Sequence, residues 1–219
     1  MRQAGALLMI AASLFLLAEP AISNGATTSS SQFTISQVVT SEVSFSTPAS
    51  NVTLGPSLGG LTGGTSNGGT QVIVVTNDHL GYSMTLTASS SAGMLGNTNQ
   101  ANTIPAYVPA SGVTPDFAFS VPANKAYFGY TAEASTTVDL AAGFKDNGTI
   151  CGTGTNDTVN ACWLNASTTA VTIVNRSTQT AASGATTTLK FRVQINANPS
   201  PAIPDDTYVA TTTLTATAN

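Results

Sequence analysis

The fold is decided by the stretch Val72-Ile-Val-Val-Thr-Asn-Asp-His-Leu-Gly-Tyr-Ser-Met-Thr-Leu-Thr-Ala88. Its first four residues are apolar on both faces, as in a strand at the centre of a sheet. Residues 76–81 have the polar and glycine composition of a turn, and the residues from Tyr82 to Ala88 then alternate between apolar and polar. The alternation predicts a half-buried strand, and the whole stretch predicts a β-hairpin.

The same alternation recurs along much of the chain. Phe33 and Ile35, and then Val43 and Phe45, are separated by hydroxyl-bearing residues and predict two early strands. Leu189 to Ile195 and Tyr208 to Thr217 predict two late strands, the last rich in threonine, whose branched side chain suits a pleated surface. About eight to ten short strands favour an all-β fold, an antiparallel β-sandwich of the immunoglobulin-like or fimbrial type.

Two segments interrupt the strand pattern. Residues 55–69 are dense in glycine, which weakens the interior of regular elements, so they predict a long surface loop or a hinge that lets the first strands swing away. Thr136 and Asp139 have the spacing of a capping box, and Leu140 and Phe144 lie four residues apart. This second pattern predicts one short helix.

The N-terminus has the pattern of a secretory signal. Arg2 precedes an apolar run from Ala4 through Ala18, and small residues follow at the position of cleavage. We therefore predict a signal peptide over residues 1–23, a flexible leader over 24–31 and a single β-sandwich domain over 32–219. An uncleaved anchor is the alternative, although the run is short for a bilayer span; no span is expected after cleavage.

The composition argues against several functional classes. Charged residues make up 7% of the chain, the formal net charge is −4, and there is one histidine. Without a basic cluster, binding to nucleic acid or to an anionic membrane surface is not expected. His79 follows Asp78 directly, and side chains of adjacent residues point apart, so the pair does not predict a catalytic dyad. We therefore predict a non-catalytic protein without a cofactor or a metal site.

The paired carboxylates Asp205 and Asp206 come between a proline and a strand. This position predicts a solvated turn more strongly than a calcium site, because the ligand spacing of an EF-hand is missing.

Cys151 and Cys162 are the two cysteines of the chain. In an exported protein, an even pair this close in sequence predicts a local disulfide. It would close a loop rich in glycine, asparagine and threonine, and such a closure is worth about 3 kcal/mol in the chain-entropy account.

Aromatic residues are the candidates for ligand contact. A glycan could stack on their faces if the rings are exposed, whereas buried rings would serve packing alone. The candidates are Tyr107, Tyr127, Tyr130 and Trp163.

A self-formed cross-link between a lysine and an asparagine, such as some surface proteins make, has two candidate amines. These are Lys125 and Lys190. No spacing in the sequence selects their asparagine partner.

Three segments carry a resemblance to known proteins: Gly59 to Thr65 before a valine-rich strand, Thr76 to Leu86, and the tail from Pro204 to Thr217. Such patterns recur in secreted bacterial β-sandwiches of the cell surface. The tail resembles the last strand of spore-coat-U-like fimbrial subunits and of WxL-type wall-associated domains. In those families a Gly-Thr-Tyr entry precedes the strand; here Asp206 stands in place of the glycine, and Trp163-Leu164 lacks the spacer of a WxL motif.

Export, composition and resemblance together predict a structural protein of the cell surface, such as a pilus, fibre or coat subunit. The resemblance implies that an N-terminal strand fills a neighbour's sheet, for which residues 32–46, followed by the glycine-rich segment, are suited. The expected partners are other copies or other envelope proteins, bound through edge strands. The alternative is a secreted adhesin or glycan-binding module.

Overall fold

The computed structural model describes residues 28–110 and 115–219. The predicted signal peptide and the first part of the leader lie outside these ranges. The chain divides into an N-terminal unit that ends at Val38 and a larger unit from Val39 to Asn219. All of the described strands lie in the larger unit.

Ten strands are present in the described part of the larger unit, and every ladder between them is antiparallel. They form a four-stranded sheet in the order β1-β2-β8-β6 and two three-stranded sheets, β10-β3-β7 and β5-β4-β9. The all-β, sandwich-like class predicted from the alternation is confirmed. The strands are β1 (Val43–Thr47), β2 (Gly64–Thr76), β3 (Tyr82–Ala88), β4 (Gly93–Gly96), β5 (Thr103–Pro105), β6 (Ala126–Ala134), β7 (Val171–Arg176), β8 (Ala185–Ile195), β9 (Tyr208–Val209) and β10 (Thr212–Ala218).

The core lies between the inner faces of the sheets, and β8 shows how the sequence builds it. Every second residue of β8 is buried, while the residues between them are half-exposed. This period of two follows from the pleat, which turns successive side chains to opposite faces. The buried residues are Ala185, Thr187, Leu189, Phe191, Val193 and Ile195.

The predicted hairpin between Val72 and Ala88 is wrong, although both of its strands exist. β2 is paired with β1 on one side and β8 on the other, so neither of its edges is left for β3. β3 lies in the other sheet, between β10 and β7. The intervening turn therefore carries the chain from one sheet to the next, and Gly81 takes the positive φ of 83° that this turn requires.

The glycine-rich segment is only half irregular, contrary to the prediction. β2 begins at Gly64, and Gly64 to Gly69 pair in continuous register with Ile195 to Lys190 of β8. Gly69 is needed here because a Cβ atom would lie 2.8 Å from the carbonyl oxygen of Leu189. Pairing with β8 thus keeps this segment in the sheet, although its sequence would not form a strand by itself.

The single predicted helix is replaced by two separate 3-10 turns, Thr137–Asp139 and Ala142–Phe144. Thr136 makes no side-chain capping hydrogen bond. Leu140, between the turns, is extended and forms a bridge with Val174. Leu140 and Phe144 are both buried. Their spacing of four residues therefore arises from two turns that pack against the core, and not from one face of a helix.

The early strand predicted at Phe33 and Ile35 is not formed. Residues 28–38, here called the N-terminal arm, have no regular secondary structure, and each of them is exposed. Phe33 is 81% exposed and Ile35 is 84% exposed. The following prediction, a strand at Val43 and Phe45, is confirmed as β1.

Candidate functional site

A cleft of about 1080 Å³ opens between the sheets. Its lining includes the inner face of β8 with Phe128 of β6, and also Met94, Ile104 and Leu214 from the other two sheets. The cleft is therefore a continuation of the apolar core that reaches the surface. The lining residues from β8 are Leu189, Phe191, Val193 and Ile195.

The cleft reaches β10, a strand that lies at the edge of its sheet. β10 pairs with β3 on one side and with no described strand on the other. Leu214 and Ala216 of β10 are only half-buried, whereas Met84 and Leu86 on the adjacent β3 are fully buried. The core is thus incomplete along this edge.

A strap of irregular chain, residues 49–58, runs across one side of the cleft. It is tied to β2 by hydrogen bonds from Ser50 N to Thr70 Oγ1 at 3.0 Å and between Gly55 and Asn67. Val52 and Leu54 occupy the room left at Gly68, where a Cβ atom would lie within 3 Å of both side chains. The strap is not a strand of the β10 sheet, and no described strand pairs with the outer edge of β10.

The four aromatic residues proposed for ligand stacking do not form an exposed platform. Tyr107, Tyr130 and Trp163 are buried, and Tyr127 is half-buried. Burial and the hydrogen bond from its hydroxyl to Asp116 raise the pKa of Tyr107. Because three of the rings serve packing, the glycan-binding alternative stays a prediction without a stacking surface to support it.

Trp163 is the centre of a packed group on the outer side of β8. Phe119 meets its ring edge-on with centroids 5.2 Å apart, and the guanidinium of Arg192 lies 4.3 Å from the ring centroid. The indole N–H donates to the carbonyl oxygen of Asn160 at 2.8 Å. These contacts fix the end of the disulfide-closed loop and the residue that follows it.

The disulfide between Cys151 and Cys162 is confirmed. Asp146 stabilises the loop that this disulfide closes. The carboxylate accepts hydrogen bonds from Gly148 N, from Thr158 N and from the Thr158 hydroxyl, at 2.7–2.9 Å. Burial acts to raise the pKa of Asp146, but these three donors outweigh it and the pKa is lowered.

His79 and Asp78 shape a turn. The His79 side chain is 87% exposed, and its Nδ1 lies 3.8 Å from Asp78 Oδ1. Asp78 accepts the N–H of Leu80 at 2.8 Å, which is the hydrogen bond of an Asx turn. Within the described ranges, no three His, Cys, Asp or Glu side chains are grouped as a metal site would require.

Asp206, the second of the paired carboxylates, connects its own loop to the loop at residues 98–99 through hydrogen bonds. It accepts the backbone N–H groups of Thr98, Asn99 and Thr207. These hydrogen bonds, that of Thr98 first, lower the pKa of the Asp206 carboxyl.

A cluster of polar side chains that was not predicted from the sequence surrounds Lys190. Its Nζ lies 2.6 Å from Glu133 Oε1 and 3.3 Å from Asn160 Oδ1. Glu133 is on β6, the direct neighbour of β8, and Asn160 is on the disulfide-closed loop that covers these strands. Because 57 residues separate Lys190 from Glu133, only the pairing register could have revealed this contact.

No protein-family model and no curated protein sequence matches this chain.

Among residues 28–110 and 115–219, no helix has the length and apolar character needed to cross a bilayer.

Proposed function

We propose that this chain is an exported structural protein of the cell surface, a subunit of a pilus, fibre or coat that assembles by strand addition. The observation that supports the proposal is the presence of two complementary features in one chain. One is the apolar cleft beside the unpaired edge of β10, and the other is the exposed N-terminal arm.

The arm has the pattern that the cleft requires. Phe33 and Ile35 are two residues apart and would enter the cleft together if the arm became a strand, while Thr34 and Ser36 would face outward. The backbone N–H and C=O groups of the arm would pair with the free edge of β10. Burial of each of the two apolar side chains would contribute about 1.5–3 kcal/mol.

The proposed occupant of the cleft is the arm of a second copy. The arm and the cleft are formed by different residues of the chain, so their contact is heterologous and adds subunits in a row. The disulfide supports the same assignment, because such bonds persist in oxidising compartments outside the cytoplasm. The proposed location is therefore the cell surface or the secreted fraction.

Paired substitutions in the arm test the assembly. We expect Phe33→Asn with Ile35→Asn to weaken self-association by about a hundredfold or more, since about 3 kcal/mol of burial is lost. The matched control, Thr34→Asn with Ser36→Asn, changes the outward positions and should associate as the wild type does. Light scattering across a concentration series, with electron microscopy of the products, measures both.

Two results would contradict strand addition by the arm. One is equal assembly by the two paired variants. The other is a wild-type protein that stays monomeric at high concentration while residues 33–38 are protected from hydrogen exchange, because the arm would then fill its own cleft.

The location has a separate test. Immunogold labelling of intact native cells should place the protein in filaments or in a surface layer. Label found in the cytoplasm would contradict the assignment.

A further inference from the structure

The Lys190 cluster brings together an amine, a carboxylate and a carboxamide. The register of β6 and β8 pairs Lys190 with Thr131, which places Glu133 two residues along the same outer face. Glu133 Oε1 is 2.6 Å from Lys190 Nζ, and Asn160 Oδ1 is 3.3 Å from the same nitrogen. The side chain of Lys190 is 25% exposed and that of Glu133 is 18% exposed, so both are largely shielded.

Asn160 is held in place by more than this contact. Its backbone N–H donates to Glu133 Oε1 at 3.0 Å, and its carbonyl accepts the indole N–H of Trp163 at 2.8 Å. Its φ of 59° is in the left-handed region, which asparagine tolerates better than most residues. The carboxamide is therefore presented to the amine by a fixed backbone, as proximity catalysis requires.

We propose that Lys190 and Asn160 form an intramolecular amide cross-link, with Glu133 as the proton-transfer group. Glu133 first takes a proton from the Lys190 ammonium, and the free amine attacks Cγ of Asn160. The Nζ–Cγ bond forms and the Cγ–Nδ2 bond breaks, while Glu133 relays a second proton from Nζ to Nδ2. Ammonia leaves, and the carboxylic acid then returns its proton to solvent.

The reaction needs no oxidant, reductant or further reactant, since an amide and an amine give an amide and ammonia. Glu133 is within reach of the proton that it must take, which is the first requirement for a general base. Asp157 is a further carboxylate near this cluster, and it accepts a hydrogen bond from the N–H of Ala134 at 2.9 Å.

The geometry also separates the two candidate lysines. Lys125 Nζ donates to the carbonyl oxygen of Ser200 at 2.9 Å in an exposed position. Lys190 is the amine that meets both a carboxylate and an asparagine side chain, so Lys125 is the control.

The test is the intact mass of the purified full chain, calculated from its observed N-terminus and with the disulfide counted. We expect the wild type to be lighter than calculated by one ammonia. Lys190→Arg keeps the positive charge beside Glu133 but removes the nucleophile, and Asn160→Gly keeps the left-handed backbone but removes the carboxamide. Both should have the full calculated mass, as should Glu133→Gln, whereas Lys125→Arg should keep the deficit.

Peptide mapping identifies the bond, since a succinimide at an asparagine also releases ammonia. Trypsin does not cleave after an acylated lysine, so the cross-link should give a branched peptide that joins residues 146–176 to residues 177–192. A wild-type chain at full mass means that the cluster is an ordinary ion pair, and the proposal fails. A deficit that survives Lys190→Arg, or a map without the branched peptide, also overturns it.

Discussion

Replacement of Trp163 by alanine is expected to lower the free energy of unfolding by about 3–5 kcal/mol. Trp163 is 1% exposed, and its removal takes away the edge contact with Phe119 and the face on which Arg192 rests. The Asn160 carbonyl also loses its indole donor. Chemical denaturation with the disulfide intact measures the change from the midpoint and the slope of the transition.

Trp163→Phe is the matched control. It keeps an aromatic ring against Phe119 and Arg192 and removes the indole N–H and part of the volume, so we expect a smaller loss. A loss below about 1 kcal/mol for Trp163→Ala would contradict the central position of this ring, because such values are typical of surface substitutions.

Replacement of Asp146 by alanine is expected to destabilise the fold by about 3 kcal/mol, because hydrogen bonds to a charged group are worth about 1.5–3 kcal/mol and buried donors would lose their acceptor. The residue is fully buried, and the donors affected are the two backbone N–H groups of Gly148 and Thr158 and the Thr158 hydroxyl. Asp146→Asn keeps the shape and one acceptor oxygen, so its loss should be smaller. Thermal and chemical unfolding of the three proteins give the order directly.

The same carboxylate predicts a pH dependence. The pKa of Asp146 is lowered in the folded protein, so its stabilising contribution is fully present above the unfolded pKa of about 4. That contribution is lost as the pH falls through the folded pKa. The difference in unfolding free energy between wild type and Asp146→Asn should therefore be constant near neutral pH and shrink in acid; a difference that grew in acid would contradict the assignment.

Sequence patterns predicted strands where the alternation of apolar and polar residues was sufficient and the identity of the neighbouring strand was not needed. The alternation from Tyr82 to Ala88 gave β3 with its correct bounds, because a period of two reports which face is buried. It does not report which strand lies beside it, and the predicted hairpin failed for that reason. Gly64 to Gly69 lack the side chains that carry the pattern, so the first half of β2 was not foreseen.

The candidate sites depend on contacts that are distant in sequence. The disulfide was predictable because its cysteines are 11 residues apart in a loop. The Lys190 cluster requires the register between β6 and β8 and the path of the disulfide-closed loop, and neither is visible locally. The alternation of Phe33 and Ile35 predicted a strand that is not formed. A period of two indicates which residues would share a face, but it does not supply the neighbouring strand that a ladder requires.

The free edge of β10 also affects the tendency of the protein to aggregate before it assembles. Residues 212–218 contain neither a charged side chain nor a proline, which are the usual protections of an exposed edge against unwanted pairing. The edge therefore lacks these protections against pairing with another extended segment. If the chain is exported and assembles by strand addition, as we propose, synthesis faster than assembly should cause aggregation. Production would then have to keep pace with assembly, or a chaperone would have to shield the edge.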